Sequence, residues 1–436
     1  MKSRLLMLFL TSLGLGGAAF SVSAQESFYE ETFSLYGYVV NFFNANLYAD
    51  DWRITDSDYG NILYGRLKGD WNPGDNLSFH TELAYQGSVG NKNPFVVYES
   101  YGLGSFIFDG PATDPEEETQ FDYPFNDFVQ SVYVDHLWGS INLGSFDVQF
   151  GKLPIAWGTG YFFNPTSRTA LMPFLELVSE ETPGTIGVIP SISFFGGLLS
   201  VQGYAAFQDK THSTFPDGVD GDWANLPFGL KLQGIAGSFD LSVSWIKEVI
   251  YTRPDFTKPE YVYHRTHYLG ADFAGAIWNF GVYGEAALEM WDESQEKPAF
   301  KDNPFFDLLE VCLGFDYPIP VLEIDTRVEY YHYGPGTREK SAYGDSISKL
   351  LSGQQMVLAE DYLLFHFERS FLDYFTIGTA GFINLNDRSL GFVPELSGEP
   401  YENLQVGLGA MLFLGDEGSE FDMMEPAVYL RCKLSF

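Results

Sequence analysis

Charged side chains recur at every second position in segments of about ten residues, and they are the most regular chemical feature of the sequence. Between residues 321 and 333, the even positions are mostly apolar and the odd positions carry Glu323, Asp325, Arg327 and Glu329. A β-strand directs alternate side chains to opposite faces, so this segment as a strand would have one charged and one apolar face. Such a charged face could line an aqueous space and sort solutes by charge.

Motifs for catalysis or cofactor binding do not occur in the sequence. It has no nucleophile elbow, phosphate-binding loop or HExxH pattern, and its two cysteines form no metal-binding cluster. His80 with Glu82, and His366 with Glu368, are two positions apart, which is a weak signal for a catalytic pair. We therefore expect no enzymatic activity, no bound metal and no other cofactor.

The composition excludes several classes of protein. A hydrophobic fraction of 45% is too high for a disordered chain. Acidic residues number 59 against 24 lysines and arginines, and the net charge of −35 argues against a nucleic-acid partner, which would require basic side chains. A length of 436 residues suits one large barrel or about two or three soluble domains.

The first 24 residues have the pattern of a secretory signal peptide. Lys2 and Arg4 precede an apolar stretch, and Val22 and Ala24 occupy positions −3 and −1 of a cleavage site before Gln25. We expect residues 1–24 to be removed and residues 25–436 to form a single domain beyond the inner membrane.

Seventeen segments have the pattern of strands, namely 33–47, 60–70, 77–87, 127–138, 140–151, 185–195, 197–208, 226–236, 238–249, 265–275, 277–290, 307–317, 320–333, 356–368, 371–384, 402–414 and 425–436. Single-chain membrane barrels have an even number of strands. We expect 18, with the missing strand in 95–108 or 153–163, and 16 as the alternative. Short turns alternate with long connections such as 88–126, 334–355 and 385–401.

The end of the chain carries the most specific pattern. Every second residue from Val428 to the final Phe436 is apolar. In this pattern, in its strand spacing and in its signal peptide, the chain resembles the bacterial outer-membrane β-barrel porin superfamily, although the subfamily is not resolved. The resemblance implies an all-β, transmembrane, antiparallel up-and-down barrel with long extracellular loops, in contact with outer-membrane lipid. It also implies that the barrel-assembly machinery recognises the last strand, through Val428, Leu430, Leu434 and Phe436.

Charged residues on the spanning strands should face the interior, because apolar positions must face lipid. The expected interior acids are Glu82, Asp240, Glu285, Glu289, Glu310, Asp316, Glu323, Asp325, Glu329, Glu360 and Glu368. The expected interior bases are Arg66, Lys68, Lys231, Arg327, Arg431 and Lys433. Barrel closure would pair the last strand with the first, which places Arg431 and Lys433 one strand away from Arg66 and Lys68, opposite an acidic wall. The alternative is that these charges pair locally and leave no net field.

A barrel of this size encloses an aqueous channel unless a segment fills it. About eight residues remain between the cleavage site and the first strand, too few for an N-terminal plug. The connection 152–184 contains the apolar run Pro173–Val178, which suggests that it folds inward as a constriction. The alternatives are that it covers the outer rim or contacts a neighbouring subunit.

These observations predict an outer-membrane porin for passive diffusion of small hydrophilic solutes, with a weak preference for cations. A substrate-specific channel for a sugar, organic acid or polysaccharide is the first alternative. A surface adhesin that binds through 88–126 and 334–355 is the second. The oligomeric state is open between a homotrimer and a monomer.

Overall fold

The structure, a computed structural model, describes residues 32–46, 59–90, 129–169, 182–207, 223–252, 262–293, 305–351, 355–372 and 374–436. The predicted signal peptide lies outside these residues. Within them the chain forms 18 strands: β1 (Phe33–Asn46), β2 (Tyr59–Gly74), β3 (Leu77–Gly90), β4 (Val129–Asn142), β5 (Phe146–Leu153), β6 (Thr185–Phe194), β7 (Leu199–Ala206), β8 (Phe228–Ala236), β9 (Phe239–Thr252), β10 (Val262–Ile277), β11 (Phe280–Asp292), β12 (Leu309–Ile319), β13 (Ile324–Tyr333), β14 (Asp361–Phe371), β15 (Phe375–Asn384), β16 (Leu390–Tyr401), β17 (Leu404–Leu414) and β18 (Ala427–Ser435). One α-helix, α1 (Tyr343–Leu351), lies between β13 and β14.

The strands close into a barrel. Each strand pairs antiparallel with the strand that follows it in the chain, and β18 pairs with β1 from Tyr38↔Ser435 to Asn46↔Ala427. No strand edge is left open in this sheet, so its backbone hydrogen-bonding groups are satisfied within the wall. The predicted all-β, antiparallel up-and-down barrel with 18 strands is confirmed.

The eighteenth strand is not where the sequence predicted it. It is β16, which occupies most of the predicted long connection 385–401, whereas 153–163 is irregular after Leu153 and 95–108 lies outside the described residues. Pro394 hid the strand, because proline has no N–H for a ladder and is uncommon in strand interiors. Here the ladder with β17 skips residues 393 and 394, passing from Phe392↔Leu412 to Glu395↔Gly409.

The two faces of the wall differ in chemistry. Large apolar side chains remain exposed on one face, among them Leu67, Leu83, Val132, Val134, Leu230, Val243, Leu313 and Leu408. The alternate positions on the same strands carry the charged residues. An exposed apolar belt on the wall of a closed barrel is the surface that a lipid bilayer covers.

Long connections fill part of the interior. Phe163, which follows β5, packs with Tyr331 of β13 and Leu364 of β14 in one buried cluster, and Ile347 and Leu350 of α1 pack against it. Among the described residues, no helix is long and apolar enough to cross a membrane.

Candidate functional site in the barrel interior

Residues 154–169, which we call the inward loop, leave the end of β5 and cross the interior. The Trp157 indole N–H donates to Gln202 of β7 over 2.8 Å. The Phe163 ring stacks on Tyr331 of β13 with centroids 4.3 Å apart, and Phe162 meets Phe382 of β15 at 5.6 Å. A segment that touches three such widely separated strands must lie inside the barrel. The described part of connection 152–184 therefore folds inward, whereas the apolar run 173–178 lies outside the described residues.

Two wall carboxylates hold the backbone of the inward loop. Glu329 of β13 accepts the amide N–H of Tyr161 at 2.8 Å and that of Phe163 at 3.0 Å. Glu285 of β11 accepts the amide N–H of Gly160 at 3.0 Å and the Thr166 hydroxyl at 2.7 Å. The N–H groups of an irregular loop need acceptors, and a buried carboxylate needs donors. The hydrogen bonds between the loop and these two carboxylates satisfy both needs.

Arg168 holds the other end of the inward loop. Its Nη2 lies 2.6 Å from Oε2 of Glu310 on β12, and its Nη1 lies 3.9 Å from Oε2 of Glu248 on β9. The guanidinium also covers the Tyr268 ring at 4.1 Å from the ring centroid. Both Arg168 and Glu310 are almost completely buried. An arginine at this position offsets the buried negative charge of Glu310, which lies away from bulk water.

A second network lies on β2, β3 and β4. The Arg66 guanidinium pairs with Glu82 and, at 2.6 Å, with Asp135. Glu82 also accepts from His80 at 2.7 Å, and its Oε1 lies 3.5 Å from Nζ of Lys68. Asp135 faces inward because β4 bulges there: the register with β3 passes from Glu82↔His136 to Leu83↔Val134. The extra residue places two consecutive polar side chains, Asp135 and His136, inside the barrel.

Three other interior bases, Arg431, Lys231 and Lys433, also have local partners. Arg431 of β18 lies 3.2 Å from Glu395 of β16, and Lys231 of β8 lies 3.4 Å from Asp272 of β10. The Lys433 ammonium lies 4.7 Å from the Tyr38 ring centroid. Local pairing was the alternative to a transverse field, and these distances favour local pairing.

Fifteen of the seventeen predicted interior residues lie on spanning strands: Arg66, Lys68, Glu82, Lys231, Asp240, Glu285, Glu289, Glu310, Asp316, Asp325, Arg327, Glu329, Glu368, Arg431 and Lys433. Two predictions of position are wrong. Glu323 lies in the turn before β13, with φ +53°, and its exposed carboxylate faces Arg369 at 3.4 Å. Glu360 precedes β14 and pairs with Arg338 of the preceding connection. Both segments begin their strands later than the alternation suggested.

Several residues of the interior were missed by sequence reasoning. Asp272 lies between Ala271 and Phe273, so the same parity rule would have found it, whereas Glu248 directly follows Lys247, which obscures the alternation there. Asp135 breaks the alternation beside His136, which is the sequence signal of a bulge. Arg168 lies in an irregular segment, where no periodicity indicates its direction.

Two groups of side chains place three potential metal-ligand atoms within 4.8 Å of one another: His80, Glu82 and His136, and His332, Glu360 and Asp361. In the first group the carboxylate is already paired with Arg66. In the second the carboxylate of Glu360 is paired with Arg338, and Asp361 accepts from Tyr330 at 2.6 Å. An arginine therefore already neutralises a carboxylate in each group. We interpret both groups as ion-pair networks.

Comparisons with known proteins add similarities of fold. No family model matches the sequence, and no curated protein matches it. Among solved structures, the chain is similar to a triple mutant of the Rhodopseudomonas blastica porin, at 12% identity and a TM-score of 0.42, covering 93% of this chain and 100% of that chain. It is also similar to Salmonella typhi OmpF in complex with daunomycin, at 11% identity and a TM-score of 0.41, covering 94% of this chain and 100% of that one. The barrel architecture rests on the strand pairings given above.

Proposed function

We propose that the protein is an outer-membrane porin through which small hydrophilic solutes diffuse passively. One observation carries the proposal: the closed wall has charged side chains inside and an apolar belt outside, and a loop fixed to the inner wall narrows the interior. This is the arrangement required for a polar path through an apolar bilayer.

The location and partners belong to the same proposal. The apolar belt fits outer-membrane lipid, and the signal-peptide pattern of residues 1–24 fits export across the inner membrane. Leu430 and the terminal Phe436 are exposed, and Val428 and Leu434 share their strand parity, which supports recognition of this strand by the assembly machinery. A homotrimer would cover part of the belt, and a monomer would leave it all to lipid.

A weak cation preference follows from which interior charges are already paired. Among the described residues, Arg66, Lys231 and Arg431 each pair with a carboxylate. Asp240, Glu289, Asp316 and Asp325 have no ion-pair partner there. Unpaired acids exceed unpaired bases along the wall, and rings of acidic side chains favour cations.

Single-channel recording of the refolded mature chain in a planar bilayer tests the proposal. Discrete current steps that grow in proportion to salt concentration are expected, and a salt gradient should give a reversal potential on the cation side. A correctly folded barrel that never conducts would overturn the proposed channel function and favour the alternative function of a surface adhesin. An anionic reversal potential would overturn the cation preference alone.

One cavity favours a second candidate, the substrate-specific channel. It lies between the inward loop and the wall and contains two charged side chains that have not paired with each other. Saturable passage of one class of solute would distinguish this channel from a general one.

A further inference from the structure

The cavity between the inward loop and strands β10 to β13 has a volume of about 240 Å³. Tyr161 of the inward loop forms one side, and Asp316 of β12 and Arg327 of β13 lie on the wall. This volume is below the range usual for drug-sized ligands, so the occupant must be small.

Arg327 lies in the cavity and forms no hydrogen bond or ion pair with the residues that the structure describes. Its guanidinium carbon lies 3.8 Å from the centroid of the Tyr161 ring, which covers one face of the group. Its Nε is buried and has no hydrogen-bond partner in the described part of the chain. Glu329, two residues further along the same face, cannot serve it, because the amide groups of the inward loop occupy that carboxylate. A fixed guanidinium with free N–H groups fits a carboxylate.

Asp316 supplies the opposite charge. It is directly opposite Arg327 in the β12–β13 register, yet the two side chains form no ion pair, and Asp316 has no hydrogen-bond partner among the described residues. Its carboxylate lies instead over Gly281 of β11, where an added Cβ would overlap it. The aspartate is thus drawn toward β11 and the arginine toward the inward loop, which leaves space between opposite charges.

We propose that this cavity is a binding subsite for a small zwitterionic solute, an α-amino acid, whose carboxylate meets Arg327 and whose ammonium group meets Asp316. The subsite rests on the proposed channel function, since solute would reach it through the lumen. A neutral sugar would leave both charges without a counter-charge, and a simple anion or cation would satisfy only one of them.

The test is block of ion current by L-alanine through the full mature chain in a planar bilayer. L-Alanine should reduce the current saturably, with a half-blocking concentration at least about tenfold below those of propionate, ethylammonium and glucose at equal ionic strength. Arg327→Gln and Asp316→Asn should each raise that concentration about tenfold or more. The matched controls Arg369→Gln on the outer face and Asp75→Asn in the β2–β3 turn should leave it unchanged.

The outcomes separate the subsite from the channel. Conductance without block by L-alanine would overturn the subsite and leave the porin standing, as would equal block by propionate or glucose. The subsite would also be overturned if L-alanine blocked the current through Arg327→Gln and Asp316→Asn at the same concentration as through the natural chain. If the barrel does not conduct, titration calorimetry of L-alanine into the detergent-solubilised chain decides: heat that Arg327→Gln abolishes supports the subsite, and no heat overturns it.

Discussion

The amide nitrogen of Phe163 lies 3.0 Å from Oε1 of Glu329, so the inward loop is hydrogen-bonded to the inner face of β13 through its backbone. Glu329 is fully buried and also accepts from the Tyr283 hydroxyl at 3.1 Å. The position of the loop therefore depends on this buried carboxylate as well as on the loop's own side-chain contacts.

Glu329→Gln should loosen the inward loop. The amide keeps one acceptor oxygen, but its NH2 group would face amide donors and leave some of them unsatisfied, at a cost of about 1–3 kcal/mol. We expect larger and noisier single-channel currents, because the loop would no longer be held against one wall. Glu417→Gln, at an exposed position of the β17–β18 connection, is the matched control. Identical current distributions for the two variants would show that the loop does not limit ion flow.

Arg168→Met should destabilise the barrel strongly. Removing the guanidinium leaves Glu310 buried without the counter-charge that Arg168 supplies, for which a loss of about 3–5 kcal/mol is typical. We expect a lower melting temperature in detergent, and partial recovery in the double variant Arg168→Met/Glu310→Gln.

The control for this effect is an exposed pair with similar chemistry. Arg369 and Glu323 lie 3.4 Å apart with 48% and 72% of their side chains exposed. Exposed pairs contribute little to stability, so Arg369→Met should change the melting temperature only slightly. If Arg168→Met and Arg369→Met lowered the melting temperature equally, burial of the ion pair would not determine its contribution to stability.

Strand periodicity predicted most of the barrel because it depends only on local sequence. Apolar positions facing lipid fix the opposite parity as interior, and this placed residues such as Glu285 and Arg327 without any tertiary information. Irregularities defeated the same rule. Pro394 concealed a strand, and the bulge at Asp135 reversed the parity of β4.

The interior contacts could not be predicted from periodicity. The inward loop has no repeat, so nothing in its sequence shows that its amide groups meet Glu285 and Glu329. Local pairing of Arg66 with Asp135 depends on the same bulge that the alternation missed. Charges could be assigned to a face, but their partners depend on which strands and loops meet across the barrel.

Glu420 should make the stability of the barrel pH-dependent. It lies in the β17–β18 connection, where it accepts from Tyr362 at 2.8 Å and from Asn384 at 2.7 Å. Burial outweighs these donors and raises the pKa of Glu420 from about 4.5 to about 7. The folded state therefore holds the proton more tightly than the unfolded state, so this stabilisation is complete below about pH 4.5 and lost as the pH rises through about 7.

Melting temperatures between pH 5 and pH 8 check this expectation. The free energy of unfolding should fall by an amount on the order of 3 kcal/mol as the pH rises from about 4.5 to above 7, since each pKa unit corresponds to about 1.4 kcal/mol. Glu420→Gln mimics the protonated acid, so it should be more stable than the natural chain at pH 8 and lose less stability between the two values. Parallel pH profiles for the two proteins would contradict a role for Glu420.

Phe436 should act at two separable steps, closure of the barrel and its assembly in cells. Its amide donates to the Gly37 carbonyl and its carbonyl accepts from the Gly37 amide, both over 2.9 Å, which extends the β1–β18 ladder to the last residue. Phe436→Ala keeps both backbone bonds, whereas deletion of residue 436 removes them. Deletion should therefore slow refolding in detergent more than Phe436→Ala does, measured by the heat-dependent gel shift of the folded barrel.

If the assembly machinery recognises the aromatic ring, Phe436→Ala should reduce the level of the protein in the outer membrane of cells severalfold, while the variant still refolds normally in detergent. Equal losses in both assays would assign the ring to closure alone.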